Sequence, residues 1–152
     1  MPALDTTTAP TMAPTSAPRR DGAPGACICV VDDDAGVRRA LANLFDAGGY
    51  RCLGFDSGEA LLAWPDLGAI DVAIFDVKLR GMDGFALQRR CAERGLQAPL
   101  LFFSGHGDAG MERRALRAGA LALLRKPVDP DLLLEQIERA LERASELRGP
   151  SR

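Results

Sequence analysis

Residues 26–34 read Ala26-Cys27-Ile28-Cys29-Val30-Val31-Asp32-Asp33-Asp34. An uncharged run stops abruptly on three aspartates. A run this short, apolar at odd and even positions alike, suits a strand covered on both faces, as the central strands of a parallel sheet are. The same arrangement recurs down the chain. Val72-Ala73-Ile74-Phe75 ends on Asp76, Pro99 to Phe103 stops at Ser104, and Ala120 to Leu124 runs into Arg125-Lys126-Pro127. Tyr50 to Phe55 supplies one more strand.

Helical patterns fill the intervals. Val37, Leu41, Leu44 and Phe45 repeat at helical spacing until Gly48-Gly49. Ser57 is placed to cap a short helix through Leu61 and Leu62 that Trp64-Pro65 closes. Phe85, Leu87 and Cys91 mark a helix ending at Gly95, Met111 to Ala118 forms another, and Leu133, Leu134, Ile137, Leu141 and Ala144 line the last. Five strand–helix pairs in strict alternation argue for an α/β fold: a five-stranded parallel sheet with helices on both faces. Right-handed crossovers then bring every strand's carboxyl end to one edge, where such folds place their sites.

The rest of the chain bounds the answer. Its 152 residues, 47% hydrophobic and 26% charged, suit one domain plus a tail. Residues 1–25 are rich in Ala, Thr and Pro, hold five of the ten prolines, and read as a disordered leader or as chain preceding a start nearer the first strand. The domain is expected over residues 26–147, with residues 148–152 a C-terminal tail too short for an output domain. No apolar run approaches the ~18 residues of a membrane span, and no secretory signal opens the chain, so a cytoplasmic location is expected. A net charge of -2 provides no basic field for nucleic acid. Cys27, Cys29, Cys52 and Cys91 lack Cys-x-x-Cys spacing, and His106 is the single histidine; buried thiols are expected rather than a zinc site. Seventeen arginines stand against two lysines, Lys78 and Lys126, which makes the lysines worth weighing.

The strand ends collect Asp32, Asp33, Asp34, Asp76, Ser104 and Lys126. Carboxylates brought this close repel, and a hard divalent cation such as Mg²⁺, which takes oxygen ligands and keeps several waters, resolves the conflict. An ammonium and a hydroxyl beside it suit the oxygens of a phosphoryl group, with Asp76 the candidate nucleophile. Aspartates after strands also cap helices: Asp34 serves as well for a cap as for a ligand, and capping or solvation accounts for Asp32 and Asp33 taken alone equally well.

Taken in order, Val31-Asp32-Asp33-Asp34-x-x-Val37-Arg38, Phe75-Asp76-Val77-Lys78-Leu79-Arg80-Gly81-Met82-Asp83-Gly84, Ser104-Gly105-His106-Gly107-Asp108, Ala118-Gly119-Ala120 and Lys126-Pro127 resemble the receiver domain of bacterial two-component response regulators. The Ser104–Asp108 segment is similar to FixJ-type receivers. The resemblance covers nearly everything after the leader and implies a flavodoxin-like (βα)5 sandwich with strand order 2-1-3-4-5. It implies that Asp76 takes a phosphoryl group from a histidine kinase or phosphotransfer protein. Asp33 would bind Mg²⁺ directly, Asp32 through water, and Asp76 and the Lys78 backbone carbonyl would complete the metal's protein ligands. Ser104 and Lys126 would contact the phosphoryl oxygens, with the Lys126–Pro127 bond often cis. Lys78 and His106, two residues after Asp76 and Ser104, would tune the lifetime of the acyl phosphate.

Such a protein is a stand-alone phosphorylation switch, with self-phosphotransfer and autodephosphorylation its only chemistry. Its downstream partner is a protein, without direct nucleic-acid or membrane contact. The face of the fourth helix, fifth strand and fifth helix is left open for a homodimer. Three positions depart from the family: Leu123 where an aromatic usually stands, Val128 for the Phe after the Lys-Pro pair, and Arg80 for a Pro. Arg113, Arg114 and Arg117 suggest a solvated or partner-binding face. Two other readings remain. A pseudo-receiver would need no phosphate. An aspartate-nucleophile phosphohydrolase of the haloacid dehalogenase type would want an acid two residues after Asp76, where Lys78 stands.

Overall fold

A computed structural model describes residues 25–106 and 109–148. The leader expected over residues 1–25 and the tail expected over residues 148–152 lie outside the described residues, save Gly25 and Arg148, as do Gly107 and Asp108.

Five strands and five helices alternate: β1 (Cys27–Val31), α1 (Ala35–Ala47), β2 (Arg51–Phe55), α2 (Gly58–Leu62), β3 (Val72–Asp76), α3 (Gly84–Glu93), β4 (Leu100–Ser104), α4 (Ala109–Arg117), β5 (Ala122–Arg125) and α5 (Pro130–Arg148). A 3₁₀ turn, Leu67–Ala69, precedes β3. The strands pair in parallel in the order β2-β1-β3-β4-β5. This is the predicted sheet.

Alternation along each strand sorts the core into two halves. Phe75 and Phe102 join Phe55, Leu61, Phe85 and Leu87 on the side of α2, α3 and α4. Ile74, Leu101 and Phe103 join Ile28, Phe45, Leu133 and Ile137 on the side of α1 and α5. The three central strands are buried at every position, which is why their sequences are continuous apolar runs rather than alternating ones. Full burial of one such Phe is worth roughly 1.5–3 kcal/mol. All four cysteines are buried thiols, as the sequence suggests.

Side-chain caps set where the helices begin. Asp34 accepts from the Gly36 and Val37 amides at 2.8 and 3.2 Å, Ser57 from Ala60 N at 3.1 Å, and Asp83 from Ala86 N at 2.8 Å. Asp34 therefore takes the capping role of the two open to it. Most element edges differ from the expected ones by a residue or two, and two of the shifts have a visible cause. β5 starts at Ala122 because Ala120 N closes the turn after α4 on Ala115 O. α5 starts at Pro130, where a proline's missing N–H costs nothing, and runs on to Arg148.

Candidate functional site

The carboxyl ends of β1, β3, β4 and β5 meet at one edge of the sheet. β1 and β3 are direct neighbours, so the aspartates at their ends converge. One carboxylate oxygen from each of Asp32, Asp33 and Asp76 lies within 4.8 Å of the others. Asp32 and Asp76 are buried, at 1% and 6% exposure, and Asp33 is half-buried. Lys126 enters from beyond β5, carried there by the bond from its own N–H to Ser104 O at 2.9 Å. Its Nζ lies 2.9 Å from Asp32 Oδ2 and 2.9 Å from Asp76 Oδ2. The Lys126–Pro127 peptide is cis, as the resemblance implies.

The two carboxylates paired with Lys126 are each held on their second oxygen by a backbone amide. Asp34 N donates to Asp32 Oδ1 at 2.9 Å and Lys78 N to Asp76 Oδ1 at 3.1 Å. Arg38 Nη1 donates to the Asp32 carbonyl at 2.7 Å and braces the β1–α1 turn. Ser104, buried at the end of β4, accepts from His106 N at 3.1 Å and donates to Met111 Sδ at 3.4 Å. The Lys78 and His106 side chains are exposed, and their backbone amides are what join these two residues to Asp76 and Ser104.

Burial pushes the Asp32 carboxyl above the usual carboxylate range, as does the charge of Asp76; the ion pair with Lys126 and the Asp34 amide pull the other way without cancelling it. Burial lowers Lys126, but its two aspartate partners outweigh that and hold its ammonium above the usual lysine value. One cation is thus shared by two buried carboxylates, with a third beside them. Asp32 Oδ2 is buried with Lys126 Nζ 2.9 Å away, but no aligned hydrogen bond satisfies it. Three clustered carboxylates, two of them sharing one lysine and one with a buried oxygen that no aligned hydrogen bond satisfies, form the donor set a small hard cation takes. The residues present fit Mg²⁺.

Three neighbours of this site were given no role in it by the sequence. Arg80, at the position noted for its departure, places Nε 3.8 Å from Asp33 Oδ2 while staying 86% exposed. Met111 meets Ser104 across a loop, and Gly84 packs against Asp76, where an added Cβ would stand 2.4 Å from the Asp76 carbonyl oxygen. Arg114 proves to be more than a solvated charge: its guanidinium stacks 4.0 Å over the Phe85 ring.

Residues 28–138 match the model of a family described as the response regulator receiver domain. The chain is 41% identical over 119 residues to the response regulator protein TmoT of Ectopseudomonas mendocina, covering 77% of this chain and 53% of that protein. It is 36% identical over 118 residues to the transcriptional regulatory protein FixJ of Bradyrhizobium diazoefficiens, covering 77% and 57%. The chain spans about half the length of these curated relatives. Among solved structures, a CheY-like response regulator receiver domain protein from Methanospirillum hungatei superposes with a TM-score of 0.72 at 26% identity, covering 80% of this chain and 98% of that one.

Proposed function

The chain belongs to the response regulator receiver domain family of two-component signalling, and from that premise we propose that it is a switch thrown by phosphorylation of Asp76. The observation that carries this reading is the position of Lys126 Nζ, 2.9 Å from a carboxylate oxygen of both Asp32 and Asp76. A buried nucleophile with an ammonium already at its side is prepared for the charge that a phosphoryl group brings.

The donor is the phosphohistidine of a kinase or phosphotransfer protein. A carboxylate oxygen of Asp76 bonds to phosphorus, the P–N bond breaks, and its electron pair stays on the imidazole nitrogen. Asp76 becomes an acyl phosphate. Asp32, Asp33, Asp76 and the Lys78 carbonyl would hold Mg²⁺, which would supply positive charge against the phosphoryl oxygens. Lys126 pairs with one phosphoryl oxygen, and the Ser104 hydroxyl donates to another. Lys78 and His106, exposed at the rim, face incoming water and tune how long the acyl phosphate lasts. The altered state is read by a protein partner on the face of α4, β5 and α5, where Leu116 is 49% exposed between Arg113 and Arg117. The same face would serve a homodimer.

The test is labelling of the full chain by a small phosphodonor with Mg²⁺, followed by intact mass. Wild type gains one phosphoryl group and Asp76→Asn gains none. Undiminished labelling of Asp76→Asn would overturn the assignment. Labelling of wild type with no change in any partner's binding would favour the pseudo-receiver reading, which Leu123 keeps in play.

A further inference from the structure

Three carboxylates meet at the carboxyl edge of the sheet, and Lys126 serves two of them. Its Nζ lies 2.9 Å from Asp32 and 2.9 Å from Asp76. Asp33 has an oxygen within 4.8 Å of theirs, yet its ion pair is with Arg80, Nε to Oδ2 at 3.8 Å. The chain thus brings two cations of its own to three carboxylates, and it holds them differently. The Lys126 side chain is 25% exposed, whereas that of Arg80 is 86% exposed and its nitrogen stands beyond hydrogen-bond reach of Asp33. We propose that Arg80 is the displaceable counter-cation of Asp33. It pairs with a carboxylate that would hold Mg²⁺, weakens the metal's binding, and so raises the free Mg²⁺ concentration at which Asp76 is phosphorylated. The inference rests on the roles given to Asp33, Asp76 and Mg²⁺ above.

The loop between β3 and α3 fixes where Arg80 stands. Leu79 and Met82, on either side of it, are half-buried and pack against the core. Between Arg80 and Met82, Gly81 has a φ of +86°, in the left-handed region, and an added Cβ there would stand 3.0 Å from Glu59 Oε2. The loop backbone is therefore held, and the Arg80 side chain is the part that can leave and return. Arg80 also occupies the place where the family resemblance leads one to look for proline, a residue that would shape the loop without bringing a charge. A guanidinium keeps its proton in proteins, so its hold on Asp33 does not depend on the arginine's own titration. An exposed pair of this kind is weak and screened by salt. That sets the scale of the effect: Arg80 tunes the metal affinity and does not block the site.

The full chain, labelled with ¹⁵N, is titrated with magnesium chloride at low ionic strength, and the amide shifts at the carboxyl edge of the sheet give the dissociation constant with no phosphodonor present. Arg80→Gln keeps a polar side chain and removes the charge; it should bind Mg²⁺ about two- to fivefold more tightly than wild type. Arg80→Lys keeps the charge and should stay closer to wild type than Arg80→Gln does. Arg51→Gln removes the same charge from the start of β2, at the opposite edge of the sheet, and should leave the constant unchanged. At about 1 M salt, where screening acts within roughly 3 Å, the gap between Arg80→Gln and wild type should close. Equal constants for wild type and Arg80→Gln at low salt, or an equal gain in Arg51→Gln, would overturn the role of Arg80 while leaving the metal site in place. No response of wild type to Mg²⁺ would defeat the metal reading as well.

Discussion

Lys126 decides the electrostatics of the site. Asp32 is buried and its carboxyl already sits above its usual range, so the fold tolerates its charge because an ammonium lies beside it. Lys126→Met keeps the stem and removes the charge. Urea unfolding without divalent cation should then show a loss of about 1–3 kcal/mol, between the exposed and buried limits for such pairs. Added Mg²⁺ should restore more stability to the variant than it adds to wild type; equal gains would show that the cation and the lysine do not share these carboxylates. At this scale the sequence was informative where a residue's place followed from a strand end. Asp32, Asp33, Asp76, Ser104 and Lys126 all fell into that class. It was silent where partners meet across a loop: seven positions separate Ser104 from Met111, and no periodicity marks the pair. Asp34 was undecided in sequence because capping and ligation ask for the same side chain, and its bonds to Gly36 and Val37 amides settle the question locally.

Among the elements, α3 is the one most tightly tied to the site. Its first residue, Gly84, donates to Val77 O at 2.8 Å and lies so close to Asp76 that a Cβ would stand 2.4 Å from the Asp76 carbonyl. That neighbour is backbone and cannot swing away. Gly84→Ala should cost roughly 1–3 kcal/mol in thermal unfolding, as overpacking does, and should slow labelling of Asp76. Wild-type stability in that variant would mean that the helix start slides freely. α3 is also joined to α4, through Arg114 on Phe85 and through Gln88 Nε2 to Ala118 O at 3.1 Å. The strands were legible as elements because burial on both faces leaves an unmistakable apolar run, while their edges drifted by a residue or two. Turns such as the one closing at Ala120 depend on backbone bonds that apolar pattern does not encode.

At the scale of the whole molecule, the sheet seals the cysteines between its two helical layers. Burial holds the Cys29 thiol above its usual range, and pushes Cys52 up to about 12 and Cys91 up to about 11. The unfolded chain ionises its thiols first, near ~8.5, and so binds fewer protons than the native state as pH rises beyond that point. Stability must therefore fall on the alkaline side. The raised Lys126 adds to the loss above the usual lysine value of ~10.4, since its contribution is complete below that pH and disappears as the native ammonium titrates. Denaturant titrations under reductant should show stability lower by a few kcal/mol at a pH of about 10 than at about 8; a flat profile would mean that the thiols reach water. The order of the sheet was available from family resemblance, whereas strict alternation alone established only that strands and helices share one domain with its site at the carboxyl edge. Among the described residues no helix is long and apolar enough to cross a membrane. The measurement that bears most directly on the account is the location of the phosphoryl group. Wild type, treated with phosphodonor and Mg²⁺, is reduced with borohydride, which converts an aspartyl phosphate to homoserine, and its peptides are sequenced by mass. The account predicts homoserine at position 76, dependent on Mg²⁺ and strongly reduced in Asp33→Ala. Homoserine at another aspartate, or a label indifferent to Mg²⁺ and to Asp33, would contradict it.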